Sequence, residues 1–190
     1  MPCFIIVLSY LLGSIPTAYI AGRWLKGRDI RHLGDGNVGA RNAFHQLGAR
    51  VGVAVGVIDA LKGVLAIVIA QTAGVSQATV LLAGIAAVAG HNWPVWLGFR
   101  GGRGECTTIG VLLVLIPQPL LISGSVAILT LLATRNVIKA STVLFVPLSL
   151  LGWCFGASGL LISYSIALPC LVGVTHCLRI RHKLAHHARG

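Results

Sequence analysis

Two arginines and three glycines make up one short segment, Arg100-Gly101-Gly102-Arg103-Gly104, which lies just before an apolar stretch. Glycines let several backbone N–H groups approach one anion, and a helix that begins after such a loop points its positive end at that anion. The segment therefore predicts an anion site. The alternative is a basic turn whose side chains extend to lipid headgroups, and the segment alone does not distinguish the two.

Other polar segments carry the same kinds of residue. The connection 29–42 and the run Gly90-His91-Asn92-Trp93-Pro94 are rich in glycine and hydrogen-bonding side chains, and the tail 179–183 is basic. The elements that join these segments are apolar, so their arrangement in the fold decides whether they form one site.

Composition indicates a membrane protein. Of the 190 residues 56% are hydrophobic and 10% are charged, and the mean hydropathy is +0.88. A small soluble domain exposes much of its surface, so it could not hide this much apolar side chain. The net charge of +11 is explained more simply by anionic lipid headgroups than by nucleic acid, because the basic residues flank apolar spans. We expect a membrane-lipid environment and no nucleic-acid partner.

The apolar segments predict an all-α polytopic membrane protein with seven transmembrane helical segments. A bilayer core of ~30 Å needs about 20 helical residues. The expected segments are 4–22, 51–72, 78–97, two helices within 106–134, 140–155 and 160–178. The fourth and fifth, at about 11 and 15 residues, are short for a full crossing. No separate soluble domain is visible, so residues 1–190 are expected to form a single integral membrane domain.

The basic residues predict the orientation of these segments. Nearly all Lys and Arg fall in four patches, at 23–50, 100–103, 135–139 and 179–189. Basic residues beside membrane spans stay cytoplasmic, and seven crossings bring all four patches to one side. The N-terminus is therefore expected outside and the C-terminus in the cytoplasm.

Two ionisable residues lie inside the second span. Asp59 and Lys62 are three positions apart and share one helical face. Ionisable groups at such depth either pair with one another or mark a site. We interpret them as a structural pair, with a substrate contact as the alternative.

Several catalytic signatures are absent from the sequence. No His is followed five positions later by Asp, and neither a Gly-x-Ser-x-Gly motif nor a nucleotide-binding lysine loop occurs. The five cysteines lack C-x-x-C spacing, which argues against a metal site. The residues therefore give no support to a covalent Ser or Cys mechanism.

The polar motifs in their order resemble the bacterial acyl-phosphate-dependent glycerol-3-phosphate acyltransferases, and the resemblance covers essentially the whole chain. The matching motifs are Gly13-Ser14-Ile15-Pro16, Asp29-Ile30-Arg31, Gly36-Asn37-Val38-Gly39-Ala40 with Asn42, Asp59-x-x-Lys62-Gly63, Gly90-His91 with Pro94, Phe99-x-Gly101-Gly102-x-Gly104 and Arg181-His182. Each motif alone is weak, but the combination is specific.

The resemblance implies an activity in phospholipid biosynthesis at the bacterial cytoplasmic (inner) membrane. A fatty acyl group would pass from acyl phosphate to the 1-hydroxyl of glycerol 3-phosphate, giving lysophosphatidate and phosphate, with no cofactor and no metal. It further implies Arg103 and His182 as catalytic residues. The substrate-binding residues that it implies are Gly36, Asn37, Gly39, Asn42, Arg100, Gly101, Gly102, Gly104 and Ser141. Homo-oligomerisation is left open, since glycines such as Gly52 and Gly56 permit close helix packing.

This chain departs from the family pattern at several site positions. Asp35 replaces a Ser in the first loop, His45 replaces an Arg, and Ala185 replaces a tail Asn. A carboxylate beside a phosphate is costly unless it is compensated, and Arg41, which also lies in the first loop, could offset Asp35 or pair with Glu105. Two alternatives therefore remain: a diverged member that binds another phospho-substrate or lipid, and a small transporter of phosphorylated anions.

Overall fold

The computed structural model describes the backbone of residues 1–187 and the side chains of residues 1–177. The described residues form helices and connecting loops without any strand, so the all-α prediction is confirmed. In chain order the α-helices are α1 (Pro2–Ser14), α2 (Thr17–Lys26), α3 (Ala40–Leu47), α4 (Ala49–Thr72), α5 (Gln77–Asn92), α6 (Glu105–Leu115), α7 (Pro117–Thr134), α8 (Val137–Phe145), α9 (Leu148–Cys154) and α10 (Gly159–His187), with short 3-10 turns at Ile30–His32 and Val95–Leu97.

Six stretches within the described chain are long and apolar enough to cross a membrane. They are Pro2–Lys26, Ala49–Thr72, Gln77–Leu97, Pro117–Thr134, Val137–Cys154 and Gly159–Cys177. The prediction of a short fourth segment is confirmed, because α6 has 11 residues. The prediction of a short fifth segment is wrong, because α7 has 18 residues. Its helix begins at Pro117 itself, since proline suits the first helical turn, where its missing N–H leaves no bond unmade.

Two predicted spans are interrupted by proline. The first breaks between α1 and α2 at Pro16, and the sixth breaks between α8 and α9 at Pro147. Proline removes a backbone donor and its ring opposes the preceding helical turn. Proline also follows the end of the third span's helix, because α5 ends at Asn92, two residues before Pro94.

The described chain divides into two compact units, residues 1–111 with 172–187, and residues 112–171. In the first unit, glycines bring helices into close backbone contact. A Cβ on Gly13 of α1 would overlap the Ala87 carbonyl of α5, and one on Gly63 of α4 would overlap the Thr107 carbonyl of α6. The helices that carry the polar loops are therefore held at the short separation that only glycine allows.

Gly52 and Gly56, the glycines considered for contacts between subunits, pack against another helix of the same chain. A Cβ on Gly52 would overlap the backbone of Phe44, and one on Gly56 would lie 3.3 Å from Ala40 Cβ. Both residues therefore seat α3 against α4. Homo-oligomerisation gains no support from them and stays a prediction.

In the second unit, α7 packs against α8 and α9. The buried side chains of this unit include Leu120, Ser123, Leu144, Leu148 and Leu168. The Ser123 hydroxyl donates to the Pro119 carbonyl at 3.0 Å, so the buried polar group of α7 is satisfied within its own helix.

Candidate active site

The connection from α2 to α3 is anchored at Asp29. This carboxylate accepts the backbone N–H of Arg31 at 3.0 Å, which caps the 3-10 turn, and the Arg31 guanidinium at 2.6 Å. The hydrogen bond from the Arg31 side chain is the main cause that lowers the pKa of Asp29 from 3.8 to about 2. Arg31 also lies over the ring of Tyr19, 5.2 Å from its centroid. The start of the loop is therefore fixed to α2.

The same loop is folded around the side chain of Asn42, which is 3% exposed. Its Nδ2 donates to the carbonyls of Ile30, Leu33 and Asn37 at 3.3, 3.0 and 3.0 Å. An amide nitrogen carries two hydrogens, so at least one of them is shared. Gly36 supports this shape because its φ of +70° lies in the left-handed region that disfavours other residues.

Asn42→Leu is expected to lower the free energy of unfolding by about 1–3 kcal/mol, because it leaves buried carbonyls without their donor. Chemical unfolding in detergent, compared with His45→Leu at an exposed position of the same helix, measures the effect. A loss no larger than that of His45→Leu would show that the loop does not depend on the Asn42 amide.

The Gly-Arg segment folds back onto the end of α5. Gly101 N–H donates to the Asn92 carbonyl at 3.2 Å and Gly102 N–H to the His91 carbonyl at 2.9 Å. A Cβ on Gly101 would overlap the His91 carbonyl, and one on Gly102 would overlap His91 Nε2. Gly104, with φ +82°, then leads into the first turn of α6. The glycines are required here because the backbone runs directly along α5.

The two polar loops meet at an ion pair. Arg103 Nη2 lies 3.0 Å from Asp35 Oδ2, and the two side chains are 22% and 36% exposed. The other Asp35 oxygen accepts the backbone N–H of Asn37 at 3.0 Å. The Thr175 hydroxyl of α10 donates to the Arg103 carbonyl at 3.4 Å. The Asp35 carboxylate thus accepts hydrogen bonds from Arg103 and from the Asn37 N–H, two donors that would also suit an oxyanion.

Within the first unit, the structure brings some of the predicted site residues together. Asp35, Asn37 and Arg103 are close, and Arg100 is exposed. Ser141 belongs to the second unit, where its hydroxyl donates to the Val137 carbonyl at 2.8 Å. The side chain of His182 lies outside the described residues. Compensation of Asp35 by Arg41, or an Arg41–Glu105 pair, stays a prediction.

Sequence reasoning missed two residues of α10. Thr175 contacts the Gly-Arg segment, and His176 interacts electrostatically with Arg103, Arg41 and Asp35. A histidine near the end of an apolar span is itself a signal of a functional position. These two residues lie one to two helical turns before His182.

A buried polar cluster joins α2, α4 and α5. Lys62 Nζ is 2.6 Å from Asp59 Oδ1, and the two side chains are 4% and 2% exposed. Thr17 donates to the same oxygen at 3.0 Å, and Lys62 donates to the carbonyl of Ile15 at the break between α1 and α2. His91 Nδ1 lies 3.7 Å from Asp59 Oδ1. The predicted pairing of Asp59 with Lys62 is present in the structure, and a contact of this pair with substrate stays a prediction.

The described residues form a helical membrane domain in which a Gly-Arg segment meets an Asn-containing loop. The model of the family described as glycerol-3-phosphate acyltransferase matches residues 3–186. This chain belongs to that family.

Individual relatives agree with this assignment. Glycerol-3-phosphate acyltransferase 4 of Dehalococcoides mccartyi (strain ATCC BAA-2266 / KCTC 15142 / 195) is 53% identical, with 95% of this chain and 98% of the relative covered. Glycerol-3-phosphate acyltransferase 1 of the same strain is 39% identical, over 94% and 89%. A crystal structure of PlsY (YgiH), described as an integral membrane glycerol 3-phosphate acyltransferase in its glycerol 3-phosphate form, superposes with a TM-score of 0.85. The identity is 33%, covering 97% of this chain and 92% of that one.

Proposed function

We propose that this protein transfers a fatty acyl group from acyl phosphate to the 1-hydroxyl of glycerol 3-phosphate. The hydroxyl oxygen forms a bond to the acyl carbon, the bond from that carbon to the phosphate oxygen breaks, and the departing phosphate takes the hydroxyl proton. The products are lysophosphatidate and inorganic phosphate. Because an acyl phosphate is already activated, positioning and charge stabilisation supply much of the catalysis.

The single observation that carries the proposal is the contact between the two polar loops. Arg103 and the Asn37 N–H both donate to the Asp35 carboxylate, each at 3.0 Å. A phosphate that displaces this carboxylate would find a guanidinium and a backbone donor already oriented. The α6 N-terminus directly follows Gly104 and adds the positive end of a helix.

We assign roles to the remaining candidate residues on this basis. Arg103 binds substrate phosphate, and Gly101, Gly102 and Gly104 give that phosphate access to the backbone. Asn42, Gly36 and Gly39 shape the loop that presents Asn37. Arg100, Ser141 and His182 are kept as substrate-contacting and catalytic residues that the resemblance implies.

We further propose that residues 1–190 act as one integral membrane domain of the bacterial inner membrane. It would have seven segments, with α6 as the short one, an external N-terminus and a cytoplasmic C-terminus. The four basic patches support this orientation through their preference for the cytoplasmic side.

Turnover by the unaltered protein tests the proposed function. The purified protein in detergent or lipid is given acyl phosphate and glycerol 3-phosphate, and both lysophosphatidate and phosphate release are measured. Equal amounts of the two products are expected. Phosphate release without lysophosphatidate would contradict the proposed transfer.

The Asp35–Arg103 pair favours one alternative, a diverged member with another phospho-substrate. Activity with glycerol 3-phosphate that appears only in the combined variant Asp35→Ser, His45→Arg, Ala185→Asn would support this alternative.

Asp35→Ser alone is expected to lower the KM for glycerol 3-phosphate by about 2- to 5-fold, because a partly exposed ion pair contributes about 0.5–1 kcal/mol. Steady-state kinetics measure the change, with Asp35→Asn as a second variant that removes the charge and keeps the size. A raised KM in both variants would show that the carboxylate helps the substrate instead of competing with it.

A further inference from the structure

His91 connects the buried ion pair to the Gly-Arg segment. Its side chain is 8% exposed, and its Nδ1 lies 3.7 Å from Asp59 Oδ1. Its Nε2 lies where a Cβ on Gly102 would be, and its carbonyl accepts the Gly102 N–H at 2.9 Å. His91 therefore contacts Gly102 with both its ring and its main chain.

The Nδ1 side of the His91 ring faces the carboxylate of Asp59, which is itself held in place. Asp59 is held by Lys62 on α4 and by Thr17 at the start of α2. This carboxylate lies 3.7 Å from Nδ1, which is longer than a hydrogen bond, and its charge favours the ring orientation in which that nitrogen faces it. The position of the ring is consequently set by helices and not by the loop it supports.

Gly102 is the residue directly before Arg103. A glycine has wide φ/ψ freedom, so its conformation would be poorly determined without a neighbour to restrict it. The His91 ring fills the space on the side where a Cβ would project. It thus restricts the residue from which Arg103 extends toward Asp35.

We propose that His91 is a positioning residue, whose ring, oriented by Asp59, fixes Gly102 and through it the direction in which Arg103 leaves the loop. This role rests on the proposed function, since the Arg103 guanidinium is the group that binds substrate phosphate. His91 itself acts without touching the substrate.

Glycerol 3-phosphate binding to the purified full-length protein tests this role. In His91→Ala the dissociation constant, measured by calorimetry in detergent, is expected to rise about 10- to 100-fold, because misplacement of a binding group by about 1 Å has effects of this size. KM should rise with it, while kcat changes less. His91→Asn, which keeps a polar group beside Asp59 but removes the ring, is expected to show the same rise and protects against a folding failure of the Ala variant.

A size exchange tests the contact itself. Gly102→Ala places a methyl group on His91 Nε2 and is expected to weaken binding, whereas the double variant His91→Ala, Gly102→Ala has room for that methyl group. The double variant should bind glycerol 3-phosphate more tightly than Gly102→Ala alone. Additive losses would overturn the proposal.

Thr79→Val, at a buried position in the first turns of the same helix, is the matched control. It is expected to lower thermal stability without a change in the dissociation constant. If the unaltered protein makes lysophosphatidate but the dissociation constant is unchanged in His91→Ala and His91→Asn, the positioning role is overturned and the proposed function stands. Failure of the unaltered protein to make lysophosphatidate would instead overturn the proposed function.

Discussion

Arg103→Ala is expected to lower kcat/KM for glycerol 3-phosphate by about 10²- to 10³-fold, the cost of removing one oriented donor from an oxyanion site. Arg103 is the cation that contacts Asp35 between the two loops, and its guanidinium would face the phosphate once Asp35 is displaced. Initial rates of lysophosphatidate formation across a range of glycerol 3-phosphate concentrations measure the loss.

Two variants make the result specific. Arg103→Lys keeps the charge but loses the planar guanidinium, which can donate two parallel hydrogen bonds, so it should retain intermediate activity. Arg50→Ala removes a positive charge at an exposed position of α4 and should leave turnover unchanged. A loss in Arg50→Ala as large as in Arg103→Ala would assign the effect to overall charge at the membrane surface and not to a site.

Lys62→Met is expected to lower the free energy of unfolding by about 3–5 kcal/mol, the usual cost of removing one partner from a buried ion pair. Asp59 is 2% exposed, so its carboxylate would lose its closest counter-charge without gaining water. The Ile15 carbonyl would lose a donor as well, which should loosen the break between α1 and α2. Unfolding by denaturant in mixed micelles measures the change.

A variant without either charge shows whether the loss in Lys62→Met comes from the unpaired carboxylate or from the shorter side chain. Asp59→Asn, Lys62→Met should be more stable than Lys62→Met, because no unpaired charge remains. Leu61→Met, at an exposed neighbouring position, is the control for methionine in this helix. A double variant less stable than Lys62→Met would contradict the assignment of the loss to the isolated carboxylate.

The fold class was predictable because a bilayer imposes long apolar helices, whose lengths can be read from the sequence. The errors arose at prolines. The sequence does not reveal whether Pro117 begins a helix or lies within a turn, because proline suits both. Pro16 and Pro147 interrupt spans whose apolar residues continue on both sides, so hydropathy alone did not detect these breaks.

The candidate site was predictable in its residue types but not in its contacts. Gly102 and Gly104 were recognised as glycines near an anion, yet their close neighbours, His91 and Asn92, are known only from the structure. Asn42 was expected among substrate ligands, whereas its Nδ2 serves three carbonyls of its own loop. Hydrogen-bond partners 5 to 12 positions away in a loop follow no periodicity from which they could be predicted.

The sequence by itself determined that this is a helical membrane protein with its basic and glycine-rich segments in the order of the glycerol-3-phosphate acyltransferases. Those properties depend on local composition and on motif order. Only the tertiary structure decided that Arg103 reaches Asp35, 68 positions away in sequence, and that His91 lies between Asp59 and Gly102. Such contacts depend on the separation and rotation of packed helices, which glycines and buried polar groups set through space and not along the chain.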